Sequence, residues 1–299
     1  MRMSREVGGG RARSAVRRAA MAAVVAGTLL GGGVAVGVGT TAAGAAVRAG
    51  SGATEYYLAL GDSLAAGVGS PDGRGYVADV YAKEHRRLGG LVLENLACSG
   101  ATTTSMIDGG GCSYTTGTQL GDAEAFLAAH PGAVAFVTID IGANDVDGCT
   151  NGTSINEACI TAGMTAITNN LPVILSGLAS AGGSTPILGM SYYDPFLAAW
   201  LQGASGQGLA RASVTLLDQL NGLLAGDYGA AETADVADAF RSSDFALHGH
   251  TGGATVPVNV ARICNWTLMC AEGNIHANDI GHAHIATAFE RVLRPVVRG

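Results

Sequence analysis

Ser63 stands near the end of the stretch Glu55-Tyr56-Tyr57-Leu58-Ala59-Leu60-Gly61-Asp62-Ser63-Leu64-Ala65-Ala66-Gly67. Tyr56 to Leu60 is a short apolar run with strand character, and Gly61-Asp62 breaks it. A serine at the carboxyl end of a buried first strand lies where open α/β sheets hold their ligands. The competing reading is a serine that caps the next helix. As a nucleophile, Ser63 needs a base within hydrogen-bond reach. His276 is a candidate, placed just before a carboxy-terminal helix. His85 and His130 fall at predicted helix ends, where histidine is commonly a solvated cap. His248 with His250, and His282 with His284, are spaced i, i+2, which on a helix puts the rings on different faces. Acyl transfer also needs donors aimed at an oxyanion. Gly100 can bring its main-chain N–H close because no side chain blocks it, and Asn144 can offer a side-chain amide. Both residue types are equally at home in plain turns.

Four blocks join these residues in order. They are Gly61-Asp62-Ser63-Leu64, then Asn95-Leu96-Ala97-Cys98-Ser99-Gly100-Ala101-Thr102, then Ile141-Gly142-Ala143-Asn144-Asp145, and Asn274 to His282 with His276 inside it. Together the blocks resemble those of the SGNH, or GDSL, hydrolase family. The resemblance implies a three-layer α/β/α sandwich around a parallel, flavodoxin-like sheet. It also implies Ser63 as nucleophile, His276 as base, and an oxyanion hole made by the N–H of Ser63, Gly100 and Asn144. One departure stands out. The family usually carries an aspartate three residues before its histidine, where this chain has Gly273, followed by Asn274. The expectation is therefore a Ser–His dyad whose orienting acceptor is a main-chain carbonyl at Gly273 or a neighbour, with Glu272 as second candidate. Asp279 is expected to cap the closing helix.

The function expected is a serine esterase or lipase that cleaves acyl esters through an acyl-serine intermediate, without cofactor or metal. An acyltransferase or a glycan O-deacetylase would use the same residues, and a non-catalytic envelope-binding protein is the alternative of another class. Gly61-Asp62-Ser63-Leu64-Ala65 lacks the second glycine of a Gly-x-Ser-x-Gly elbow. Lys83, the only lysine, has Val80 three residues before it, which excludes a Ser-x-x-Lys pair. Tyr192, Tyr193, Phe196, Leu197 and Trp200 form an apolar cluster expected to be core rather than an acyl pocket. The loop carrying Trp266 is a candidate wall.

Residues 1–46 read as a secretory signal peptide. Arg2, Arg5, Arg11, Arg13, Arg17 and Arg18 precede an apolar stretch from Ala19 to about Val38, with a small-residue site at Ala43-Gly44-Ala45. A retained anchor at the cell envelope is the competing reading. Residues 47–299 are expected to form one hydrolase domain, exported, monomeric and without a further membrane span. Loss of the leader, with its six arginines and Glu6, would take the net charge from −7 to −12. Such an acidic chain disfavours nucleic acid as a partner and leaves a small-molecule or lipid ester as substrate.

All six cysteines follow the leader, and an even count in an exported chain reads as disulfides. Nearest-neighbour pairing gives Cys98–Cys112, Cys149–Cys159 and Cys264–Cys270, each loop beside one of the blocks. With no Cys-x-x-Cys pair, zinc is the weaker reading.

The elements needed to position these residues alternate. Strands are predicted near 55–61, 91–97, 133–141 and 185–193, with a weaker one near 233–239. Helices are predicted near 75–88, 119–129, from Ser154 or Asn156 to about 181, 208–225 and 279–293. The stretch from about 240 to 275 reads as loop. Alternation of this kind makes a parallel sheet covered on both faces.

Overall fold

The computed structural model describes residues 54–150, 154–229 and 232–296, and the leader expectation for residues 1–46 lies outside them. The chain begins with β1 (Glu55–Gly61), whose last five residues are buried. Then follow α1 (Gly75–Leu88), β2 (Leu91–Asn95), α2 (Thr103–Asp108), α3 (Gln119–Ala129), β3 (Val134–Asp140), α4 (Glu157–Gly182), β4 (Ile187–Met190), α5 (Ala204–Tyr228) and β5 (Thr233–Ala234). The last part holds α6 (Val236–Ala239), the hairpin β6 (Gly249–Thr251) and β7 (Ala254–Val256), α7 (Val258–Trp266), α8 (Met269–Glu272) and α9 (Asp279–Val296).

β1 to β5 form one parallel sheet in the order β2-β1-β3-β4-β5. Every residue of β3 is buried, as a continuous apolar run in the centre of a parallel sheet requires. α1 packs with α9, and α4 packs with α2 and α3. The expected doubly wound sandwich is therefore present. Its order reverses at β1, so a crevice opens beyond the carboxyl ends of β1 and β3, the place such sheets give their ligands.

α4 is long and apolar enough to cross a bilayer by length and composition. Its Ile167, Leu171, Ile174 and Leu178 are fully buried in the core, the spacing of a single inward helix face. Asn156, not Ser154, caps it, accepting from the Cys159 N–H.

Three expectations need correction. The weak strand near 233–239 ends at Ala234, because Asp235 caps α6 by accepting from the Asp238 N–H. The stretch 240–275 is not simply loop, for it carries the hairpin, α7 and α8. Asp279 does not cap α9. Asn278 does, its Oδ1 accepting from the N–H groups of Ile280 and Gly281, while Asp279 accepts from the Ser70 hydroxyl.

Candidate active site

Ser63 follows β1 and His276 follows α8, 213 residues apart in sequence, yet Ser63 Oγ lies 2.7 Å from His276 Nε2. The turn bearing Ser63 is fixed from below. Asp62 Oδ1 accepts from the Leu64 N–H at 2.9 Å, and Asp140 Oδ2 accepts from the Ala65 N–H at 3.0 Å. With its two successors held, the Ser63 N–H is left without an acceptor among the described residues. Gly61 is required at the turn: its φ is +134°, and a Cβ there would lie 2.0 Å from Asp140 Oδ1. The buried Gln119 grips the same residue, accepting from the Gly61 N–H at 2.8 Å and donating to its carbonyl at 3.1 Å.

Asp62 and Asp140 lie beneath the nucleophile, and each carboxyl influences the ionisation of the other. Burial raises the pKa of both. Asp140 is raised the further of the two, because the neighbouring Asp62 carboxylate adds to the effect of burial and favours the protonated form of Asp140. Tyr192 donates to Asp62 and Tyr76 to Asp140, which leaves each carboxyl well bonded.

The acceptor for the other nitrogen of His276 differs from expectation. It is the side chain of Asn274, whose Oδ1 lies 2.6 Å from Nδ1 and also accepts from the His276 N–H at 3.1 Å. Neither the Gly273 carbonyl nor Glu272 fills that position. Gly273 instead ends α8 in the left-handed conformation. An amide oxygen only accepts, so Nδ1 carries the proton and Nε2 presents its lone pair to Ser63. Burial lowers the pKa of His276, with a smaller contribution from His282, so the neutral, basic form persists below the usual histidine range.

The His276 loop is strapped to its neighbours. The Leu268 N–H donates to the His276 carbonyl, the Asn278 N–H to the Trp266 carbonyl, and the Tyr193 hydroxyl to the Ile275 carbonyl. The Cys264–Cys270 disulfide closes the segment it is strapped to. His282, 1% exposed, spans two elements: Nδ1 accepts from the Tyr76 N–H, and Nε2 donates to the Val68 carbonyl in the segment after Ser63.

Asn144 follows β3 and lines the same cleft as Ser63 and His276. It donates one amide hydrogen to the Ala101 carbonyl at 2.9 Å, leaving the second free. Gly100 precedes Ala101 with φ +82°, and its N–H has no acceptor among the described residues. It is tied to the site through this Ala101–Asn144 bond and is not itself part of the cleft lining. Asp145 binds the two loops together, accepting from both the N–H and the hydroxyl of Thr103 at the start of α2. Cys98–Cys112 and Cys149–Cys159 are bonded as expected, on the segments bearing Gly100 and following Asn144.

Sequence reading missed Asn274 as acceptor, Asp140, Gln119 and the linking role of Asp145. Asn274 and Asp145 each carried a signal, being part of a quoted block, whereas Asp140 and Gln119 carried none. The cleft is partly open to solvent. Its apolar side is built by Ile160 and Met164 of α4 and by Leu209, Leu216, Leu217 and Leu220 of α5. Tyr192, Tyr193 and Phe196 do line it, whereas Leu197 is core and Trp200 packs on Phe245. Trp266 forms no wall but stacks on His284.

Residues 59–284 match the model of the GDSL-like lipase/acylhydrolase family. An extracellular lipase from Streptomyces rimosus shares the fold at 23% identity and TM-score 0.51, over 81% of this chain and 99% of that one. Phospholipase A1 from Streptomyces albidoflavus NA297 does so at 18% identity and TM-score 0.50, over 81% and 99% of the two chains. At these identities the likeness is one of fold. No curated protein matches the sequence. With the match running through Ser63, Asn144 and His276, the chain belongs to the GDSL-like lipase/acylhydrolase family and is a carboxylic ester hydrolase.

Proposed function

We propose that the protein is an exported serine esterase that cleaves acyl esters in two stages. Ser63 Oγ attacks the ester carbonyl as His276 Nε2 takes its proton. The C–O bond to the alcohol then breaks, and His276 returns the proton to the leaving oxygen. Water, deprotonated by His276, attacks the acyl-serine and releases the acid. The oxyanion is held by the N–H groups of Ser63 and Gly100 and the free amide hydrogen of Asn144. All three are left without acceptors among the described residues, as donors kept for an incoming charge must be. Asn274 acts as a positioning residue for His276. The observation that carries this reading is the 2.7 Å contact between Ser63 Oγ and His276 Nε2, with Nδ1 already held by an acceptor.

Export is supported by the basic, then apolar start of the sequence and by three disulfides, which persist in oxidising compartments. The side of the cleft formed by α4 and α5 is suited to an aliphatic acyl chain, because burying each CH₂ there contributes about 0.8 kcal/mol.

Hydrolysis of p-nitrophenyl esters of graded chain length tests the reading. Wild type is expected to be active, and Ser63→Ala to lose at least about 10⁴-fold in kcat/KM. A mutant that keeps its activity would rule out Ser63 as nucleophile.

A further inference from the structure

Asp147 lines the cleft three residues beyond Asn144, on the short 3-10 turn Asp147–Cys149. The other carboxyls nearby are internally bonded. Asp62 receives the Leu64 N–H and the Tyr192 hydroxyl, while Asp194 receives the Phe196 N–H and the Ser213 hydroxyl. Asp147 has neither a hydrogen-bond donor nor a cation as partner among the described residues. Among the described residues no lysine or arginine lines the cleft to neutralise it. Val146, Ile155 and Ile160 line the same cleft, an apolar setting for an acid. An unpaired carboxyl in such surroundings is costly, and a donor brought by a ligand would remove that cost.

We infer that Asp147 is a specificity-determining residue that receives a hydrogen-bond donor, a hydroxyl or an ammonium, carried on the part of the ester bound in the cleft. This rests on the esterase reading and deepens it. The substrate class is an acyl ester bearing a hydroxyl or amino group, preferred over its plain alkyl counterpart. Esters with an anionic group in that position are disfavoured.

The electrostatics of the cleft agree with this. Burial, reinforced by the charges of Asp62 and Asp194, pushes the Asp147 carboxyl up to about 7. Tyr192 and Tyr193, both raised by burial, and His276 are the other titratable groups lining the cleft. Above that range Asp147 is charged, and its preference for a donor, an ammonium most of all, is strongest.

Matched esters test the inference in two arms, which separate the two places the donor could sit. In one, p-nitrophenyl esters of plain, ω-hydroxy and ω-amino acids of graded length are compared. In the other, the propyl, 2-hydroxyethyl and 2-aminoethyl esters of one acid are compared by pH-stat. Wild type is expected to favour the donor-bearing ester about tenfold in kcat/KM above pH 7 in one of the arms, the size of one charge-assisted hydrogen bond. Asp147→Leu should bring both ratios to about one. Asp147→Asn should abolish the ammonium preference while keeping part of the hydroxyl preference, since an amide oxygen still accepts. A general structural defect lowers all rates and leaves the ratios unchanged. Thermal unfolding checks each variant, and the isosteric Asp147→Asn carries the comparison if Asp147→Leu does not fold. Equal rates for donor-bearing and plain esters in wild type, or a preference that survives Asp147→Leu, would overturn the inference and leave the esterase reading standing. Inactivity of wild type on every ester would overturn both.

Discussion

A neutral amide holds the Nδ1 proton of His276, where a carboxylate would add charge as well as direction. Asn274 orients the ring and fixes its tautomer but gives the imidazolium formed during attack only a dipole. Two substitutions separate these contributions. Asn274→Ala removes both, and kcat is expected to fall about 100-fold with KM little changed. Asn274→Asp restores the charge. A carboxylate beside His276 favours its protonated form, so the acid limb of the pH–rate profile is expected to move up by about one unit. In the wild type, burial lowers His276, and half-maximal rate on the acid side is expected below the ordinary histidine value of about 6.5. Steady-state profiles of the three proteins on one short ester would decide this, and superimposable acid limbs for wild type and Asn274→Asp would refute it. Ser63, Asn144 and His276 were legible in the sequence because each sits in a block of fixed local spacing. Asn274 was not legible as acceptor because the carboxylate of the resembled family stands at 273, where this chain has glycine. The Asn274 side chain reaches His276 by turning back on its own backbone, accepting the His276 N–H two residues on, and only the folded turn reveals that.

Each loop that carries a site residue leaves a strand or helix end and is tied down again within a few residues. Gly100 lies inside the loop closed by Cys98–Cys112, a separation of 14 residues. A bridge of that span contributes about 3 kcal/mol through the unfolded chain. Replacing both cysteines by alanine is expected to lower the unfolding free energy by about that amount in urea titrations, with the m-value rising as the unfolded chain expands. An unchanged midpoint would show that the bridge adds nothing to stability. The main elements were legible because apolar runs and helical periodicity extend over long stretches in β1, α1, β3 and α4. The segment from 235 to 272 was not. Apart from the nine-residue α7, its pieces, α6, the hairpin strands and α8, are three or four residues each, too short to show a period. The segment is held by tertiary contacts such as the amide of Asn259 in α7 donating to the Ser242 carbonyl. Asp140 and Gln119 were invisible for a related reason. A buried carboxyl at the end of β3 and a glutamine at the start of α3 acquire meaning only once both face Gly61.

The molecule as a whole carries a net charge of −7 and buries several carboxyls that prefer to hold their protons. Burial raises Asp62, Asp140, Asp147 and Asp194, the last to about 6. In the unfolded chain these groups titrate near 3.9. Between that value and its raised native pKa, each binds more protons folded than unfolded. Its contribution to stability is therefore full below about pH 4 and is lost as pH rises through the native value. His276, His282 and His284 act in the opposite sense, since burial lowers all three and the unfolded chain takes up their protons first on acidification. A single wild-type profile mixes the two trends. Comparison with Asp140→Asn isolates one carboxyl, because the histidine contribution is common to both proteins. The amide cannot ionise, so whatever constant offset it introduces, the variant should gain on the wild type as pH rises, by about 1.4 kcal/mol per unit above pH 4. That gain should level off where Asp140 itself ionises in the native protein. Urea unfolding of both proteins at intervals from about pH 4 to pH 8 measures the difference directly. Parallel curves would mean that Asp140 is ionised in the fold and that no proton is held between it and Asp62. A diverging pair would place a protonated acid beneath the nucleophile, where its uncharged form keeps a second negative charge from adding to that of Asp62 near the oxyanion that Ser63 must generate.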